Sequence, residues 1–126
     1  MTRTIEKSLN LVPVTKPKTT NPTTQRRNRL LKAIRRQKLM LEKYKAGEKT
    51  NRVWFWTSDD GNTYLQIKYG KTAIELGKGK FAILCENIDD IATNLETVES
   101  LTVKGEFDSI LATISQEIKA KFEQRK

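Results

Sequence analysis

The C-terminal part of the chain carries apolar residues at the spacing of amphipathic helices. Two stretches repeat apolar positions every three or four residues, which places them along one side of an α-helix. The first predicts a helix over about 88–101, with Asn87 or Asp89 as its cap, and the second predicts a helix over about 106–124. The stripes consist of Ile88, Ile91, Leu95, Val98 and Leu101, and of Phe107, Ile110, Leu111, Ile114, Ile118 and Phe122.

The middle of the chain alternates between apolar and polar residues, as strands do. Turn sequences rich in glycine, aspartate and asparagine separate four such segments. The predicted strands span about 52–58, 63–69, 72–77 and 80–86. Their short connections predict a four-stranded antiparallel meander, and two C-terminal helices packed on one face of it give an α+β fold. In the second strand, Leu65, Ile67 and Tyr69 alternate with Tyr64, Gln66 and Lys68.

A further helix is predicted ahead of the sheet, over 22–47. Asn21 is a capping residue, Pro22 suits the first helical position, and Gly47 ends a run without helix breakers. One side of this helix is apolar and the other is strongly basic. Because the α+β body formed by 51–126 is small for an independent core, we expect the apolar side to dock on that body. The apolar side holds Leu30, Ala33, Ile34, Met40, Leu41 and Tyr44.

Charge is distributed unevenly along the chain, whose net charge is +9. Residues 1–52 hold 15 Lys/Arg against 3 Asp/Glu, whereas residues 53–126 hold 9 against 12. All three prolines and many threonines fall within 1–24, so we expect 1–21 to be a disordered basic arm. Such an excess attracts polyanions and is typical of nucleic-acid tails. The alternative is a solvated extension that improves solubility.

The side chains that most enzymatic and metal chemistry requires are missing from the sequence. The chain has no histidine and a single cysteine, Cys85, which leaves no base to activate the thiol and no imidazole or multiple-thiolate metal site. Cys85 lies in an apolar run and is expected to be a core residue. The carboxylate pairs at 59–60 and 89–90 fit a turn and a helix N-terminus. We therefore expect no catalytic activity, metal or cofactor.

The candidate nucleic-acid contacts lie on the basic side of the 22–47 helix, on one face of the predicted sheet and in its last turn. Lysine and arginine bind phosphates, and aromatic rings on an open sheet stack on unpaired bases. Trp54 and Trp56 either stack in this way or fill the core beneath the helix, depending on strand register. The candidates are Arg26, Arg27, Arg29, Lys32, Arg35, Arg36, Lys43, Tyr64, Lys68, Lys78 and Lys80.

Two groups of motifs resemble known families. The first comprises Lys7-Ser8-Leu9, Lys16-Pro-Lys18, Gln25-Arg-Arg-Asn28, the Trp54-Phe-Trp56 strand and the segment 69–80 before a closing helix pair. Together these motifs resemble an uncharacterised family of short proteobacterial and phage proteins, which implies no function. The second is the order of four antiparallel strands, a Gly-Lys-Gly-Lys turn and a helix over about 53–100. It is similar to the single-strand DNA-binding fold of the transcriptional-coactivator family of positive cofactor four, and implies a basic N-terminal tail and homodimers.

These features predict a non-enzymatic nucleic-acid-binding accessory protein of bacterial or phage origin, with single-stranded DNA or RNA as the favoured ligand. The alternative is a protein-interaction module, such as a phage factor that docks on a host polymerase or ribosome. A membrane-surface role fits less well, because the 22–47 helix has no Trp or Phe on its apolar side. A lone cysteine and the lack of an apolar stretch of about 20 residues predict a cytoplasmic protein.

Overall fold

The chain folds as an α+β protein in which three helices accompany small antiparallel sheets. A computed structural model describes residues 9–14 and 21–124. Within the predicted arm, 1–8 and 15–20 lie outside the described residues, and 9–14 are exposed and form neither helix nor strand. The helices are α1 (Pro22–Lys45), α2 (Ile88–Val103) and α3 (Asp108–Gln124). The strands are β1 (Phe55–Thr57), β2 (Thr63–Gln66), β3 (Lys68–Tyr69), β4 (Thr72–Ala73) and β5 (Ala82–Cys85).

α1 lies at the centre of the hydrophobic core. Its N-terminus is capped by Asn21, whose Oδ1 accepts the N–H of Thr23 at 2.8 Å. Leu30, Ile34 and Leu41 are at most 1% exposed, and full burial of each such side chain contributes about 1.5–3 kcal/mol. The helix packs against α2, α3 and β3. α1 is therefore part of the folded body and not a detachable basic arm.

The predicted four-stranded meander is wrong. β2 is the central strand of a three-stranded sheet in the order β1-β2-β5, while β3 and β4 form a separate two-stranded hairpin. Because β1 and β5 occupy both edges of β2, no edge is left for the predicted strand over 72–77. The chain leaves the sheet after Gln66 and reverses at Gly70, whose φ of +64° is a conformation that glycine adopts at little cost.

One face of the three-stranded sheet is open to solvent. The register pairs Tyr64 with both Trp56 and Leu84, so these three side chains form a row across the sheet. Trp56 is 40% exposed and Leu84 is 62% exposed; the three residues together are termed the open sheet face. The opposite face carries Cys85, which is buried as expected from its apolar surroundings. Burial raises the pKa of the Cys85 thiol.

The two tryptophans differ in burial. Trp54 is 8% exposed and belongs to the core, whereas Trp56 lies on the open sheet face. Strand alternation would place both on one side, but β1 begins only at Phe55. Before that point the backbone at Arg52 adopts a left-handed conformation, with φ of +55°. The alternation is therefore interrupted, and Trp54 and Phe55 are both buried.

Separate replacement of the tryptophans tests this difference. Trp54→Ala leaves a cavity in the core, so we expect the free energy of unfolding to fall by about 3–5 kcal/mol. Trp56→Ala removes an exposed ring that stacks on Tyr64, with ring centroids 5.5 Å apart, and we expect a loss of about 1 kcal/mol or less. Urea unfolding followed by far-ultraviolet circular dichroism measures both values. Equal losses would contradict the difference in burial.

Candidate nucleic-acid interface

The basic residues of α1 do not form one continuous surface. On the side of the helix that faces α2 and α3, Arg27 Nε donates to Asp108 Oδ1 at 2.7 Å, and the same guanidinium contacts the second carboxylate oxygen. Arg35 Nε and Lys38 Nζ bind the two oxygens of Glu99 at 3.3 and 3.0 Å. These ion pairs link α1 to α2 and α3. Two of the predicted phosphate contacts, Arg27 and Arg35, are thus engaged within the protein.

The ion pairs stabilise the charged forms of their carboxylates. The hydrogen bond from Arg27 lowers the pKa of Asp108 below its ordinary value. The hydrogen bond from Lys38, with a smaller contribution from Arg35, lowers the pKa of Glu99. All of these groups remain partly accessible to water, so the pairs orient the helices more than they stabilise the fold.

A cleft lies between α1 and the β3–β4 hairpin, with a volume of about 650 Å³. None of the residues that line it is acidic, and five are cationic. This group is termed the cationic cleft. Its cations are Arg29, Arg36, Arg52, Lys68 and Lys71, and its other lining residues are Leu30, Ala33, Gln37, Trp54, Tyr69 and Gly70.

Local structure explains how these cations come together. Arg29 and Arg36 are seven residues apart, which is about two helical turns, so both point from the same side of α1. Lys68 and Lys71 belong to the hairpin that reverses at Gly70. The guanidinium of Arg29 lies 5.2 Å above the ring centroid of Tyr69. This cation–π contact holds Arg29 between α1 and the hairpin, beside the cleft.

Gln37 holds the segment that carries Arg52 against the cleft. The Gln37 side chain is buried, and its Nε2 donates to the carbonyl oxygen of Arg52 at 3.0 Å. Its Oε1 accepts the backbone N–H of Trp54, also at 3.0 Å. A left-handed arginine costs of order 1–3 kcal/mol, and such a conformation persists only where surrounding contacts hold it. One amide therefore positions both Arg52 and Trp54.

The remaining predicted residues lie outside the cleft. Arg26 is partly buried, and its Nη2 donates to Thr23 Oγ1 at 3.4 Å. Lys32 and Lys43 are exposed on α1. Lys78 and Lys80 are exposed in the turn before β5, where Leu76 N donates to the Lys80 carbonyl at 2.9 Å.

The structure brings together only part of the predicted set. Arg29, Arg36 and Lys68 meet in the cleft, while Tyr64 lies on the open sheet face. Sequence reasoning did not include Arg52 and Lys71 among the contacts. The seven-residue spacing of Arg29 and Arg36 indicates that they share one side of the helix. Nothing in the sequence indicates that Arg52 lies beside them.

Lys68 of the cationic cleft follows Tyr64 of the open sheet face by four residues along the chain. Along 63–69 the odd-numbered residues are at most 8% exposed, while Tyr64, Gln66 and Lys68 are only partly buried. The latter three therefore lie on one side of an extended run, and Lys68 also lines the cleft. At about 3.3 Å per residue, Tyr64 and Lys68 are separated by roughly 13 Å. An extended ligand can thus contact both surfaces.

No family model, curated protein or solved structure matches the chain. The geometry of the cleft and of the open sheet face is therefore the basis for a functional assignment. Over residues 9–14 and 21–124, none of the helices combines the length and apolar character needed to cross a membrane.

Arg52→Gly tests whether the arginine is held at an energetic cost. Glycine tolerates the left-handed backbone, so we expect the free energy of unfolding to rise by up to about 1 kcal/mol. Arg52→Ala is the matched control, because it removes the same guanidinium but keeps the Cβ that disfavours this conformation. Chemical unfolding of the two variants measures the difference. A glycine variant less stable than the alanine variant would contradict a strained Arg52.

Proposed function

We propose that this protein binds single-stranded nucleic acid, DNA or RNA, without catalysing a reaction on it. The observation that carries the proposal is the convergence of five cationic side chains and no carboxylate on one cleft. Like charges that line one cleft repel one another, and a bound polyanion relieves that repulsion. Arginine guanidinium groups also match the geometry of phosphate oxygens.

The open sheet face favours a single strand over a duplex. Trp56 and Tyr64 are stacked on each other with an angle of 29° between their rings, and Trp56 keeps 40% of its surface exposed. Unpaired bases stack on such rings, whereas a duplex keeps its bases stacked within the helix. A strand whose bases lie on Trp56 can direct its phosphates towards Lys68 and the cleft.

A non-catalytic role fits the chemistry of the chain. Catalysis on a phosphodiester needs a proton-transfer group or metal ligands near the phosphate. The chain contains no histidine, and the lining of the cleft contains neither a carboxylate nor a thiol. The cleft therefore has side chains that bind a phosphate and lacks the histidine, carboxylate and thiol groups that most often activate water against it.

Charge removal inside and outside the cleft tests the proposal in the full chain, because α1 completes the core and cannot be deleted. Arg36→Gln with Lys71→Gln removes two cleft charges. We expect weaker binding of a labelled oligothymidylate and a log–log salt slope shallower by about 1.4, since each lost single-strand phosphate contact contributes about 0.7. Fluorescence anisotropy across a series of salt concentrations measures both quantities.

Lys78→Gln with Lys80→Gln is the control for this experiment. It removes the same net charge from exposed positions in the turn before β5, outside the cleft and away from α1. We expect its salt slope to stay close to that of the unmodified protein. If the two double variants lose affinity equally, the binding reflects overall charge, and the cleft is not the site.

Trp56→Ala tests base stacking on the open sheet face. We expect affinity for oligothymidylate to fall by about 1–3 kcal/mol per stacked base. Oligothymidylate should also quench the tryptophan emission of the unmodified protein but not that of the variant, whose remaining Trp54 is buried. Leu39→Ala serves as the control, because it removes an apolar side chain of α1 that is 67% exposed.

A protein-interaction module is the second candidate, and the open sheet face is the observation that favours it. Exposed tryptophan and tyrosine beside Leu84 are also typical of protein-binding surfaces. Unchanged tryptophan emission on addition of oligothymidylate, together with unchanged affinity of Trp56→Ala, would favour this candidate for the sheet.

A further inference from the structure

The cationic cleft has more positive charge than a single internal phosphodiester requires. Each internal phosphodiester of a strand carries one negative charge, and successive phosphates spread that charge along the chain. The five cations instead surround one cleft of about 650 Å³. Cavities of about 300–1,000 Å³ are typical of small-molecule sites, so the volume suits one nucleotide better than a long stretch of strand.

A phosphate monoester matches this arrangement of charge. Its net charge at pH 7 is about −1.5 to −2, because its second pKa is about 6. It also has three oxygens that accept hydrogen bonds. The cleft presents donors from three directions: the guanidinium groups of Arg29 and Arg36 from α1, Arg52 from the connection to β1, and Lys68 and Lys71 from the hairpin. Donors on several sides can bind the three oxygens of a phosphate monoester at once. A phosphodiester has only two free oxygens and would leave some of these donors without a partner.

The cleft has an apolar floor. The Trp54 and Tyr69 rings and the side chains of Leu30 and Ala33 lie there beside the cations, and Leu30, Trp54 and Tyr69 are at most 8% exposed. An apolar floor lowers the local dielectric and so strengthens the attraction of the cations for a phosphate. The left-handed backbone of Arg52, held by Gln37, is at the same place, and strained residues concentrate at ligand-binding positions.

We propose that the cationic cleft binds a nucleotide through a terminal phosphate monoester. Such a phosphate monoester occurs both at the phosphorylated end of a single strand and on a free mononucleotide. The strand-end form rests on the proposed function and makes the protein a binder of strand ends, with the adjoining bases directed towards the open sheet face.

The pH dependence of binding distinguishes a monoester from a phosphodiester. The charged and titratable groups that face the cleft are the arginines of α1 and the β1 connection, and the lysines and Tyr69 of the hairpin. Histidine, whose ordinary pKa lies between pH 5 and 8, is absent from the chain. A preference for a terminal phosphate should therefore follow the second ionisation of the ligand, and it should weaken as the pH falls below about 6.

Competition binding to the full-length protein tests the proposal. The competitors are one oligothymidylate sequence with a 5′-phosphate, with a 3′-phosphate, or with hydroxyl groups at both ends. Thymidine monophosphate and thymidine are compared separately by thermal shift. We expect a phosphate at one end to tighten binding about tenfold or more at pH 8 and less at pH 5. Arg36→Gln should remove this preference, whereas Lys78→Gln, at an exposed position outside the cleft, should retain it.

The outcomes separate this inference from the proposed function. Equal affinity for all three strands would overturn the terminal-phosphate site while leaving single-strand binding in place. If no strand binds but thymidine monophosphate raises the melting temperature more than thymidine does, the site holds a free nucleotide and the proposed function fails. If neither strands nor the monophosphate bind, both are overturned. A preference that persists in Arg36→Gln would place terminal-phosphate recognition outside the cleft and overturn the assignment.

Discussion

The burial of one side of α1 determines how the rest of the molecule is arranged. Leu30, Ile34 and Leu41 fill the core between the C-terminal helices and the sheets, which leaves the charged residues of the helix on its flanks. One flank meets Asp108 and Glu99, so its cations are engaged within the fold. The other flank meets a hairpin that contributes two lysines to the same cleft. Packing thus divides the basic residues of α1 between an internally paired side and a side with unbalanced positive charge.

Gln37 connects this packing to the candidate site. It lies among the apolar residues of α1, and both atoms of its amide bind the backbone that precedes β1. The hydrogen bonds of a buried amide fix the orientation of the groups that they join, whereas an apolar contact does not. These two bonds fix the backbone at Arg52 and at Trp54. Gln37 therefore contributes both to the core and to the arrangement of the candidate site.

The sequence predicted the features that depend on local patterns. The α+β class, the helix start at Asn21-Pro22 and the inward side of 63–69 all follow from spacing and capping chemistry, and the structure agrees with them. The hairpin pairings of β1 with β2 and of β3 with β4 agree with the predicted short connections. The pairing of β2 with β5 was not accessible, because a hairpin intervenes and periodicity carries no information about partners. The sequence predicted only some of the residues that line the cleft. Arg29 and Arg36 share a helical side, but the placement of Arg52 depends on a tertiary hydrogen bond.

Contacts on three sides of α1 limit how the sequence of this helix can change during evolution. Its inward positions are required for packing, a second side for ion pairs and a third for the cleft. Lys32, Leu39 and Lys43 are exposed on the outward side, and the spacing of seven and four residues aligns them along one line. Substitutions should accumulate along that line and at the other exposed positions of the helix. A segment with the composition of a dispensable basic tail would then change slowly wherever it packs, pairs with a carboxylate or lines the cleft.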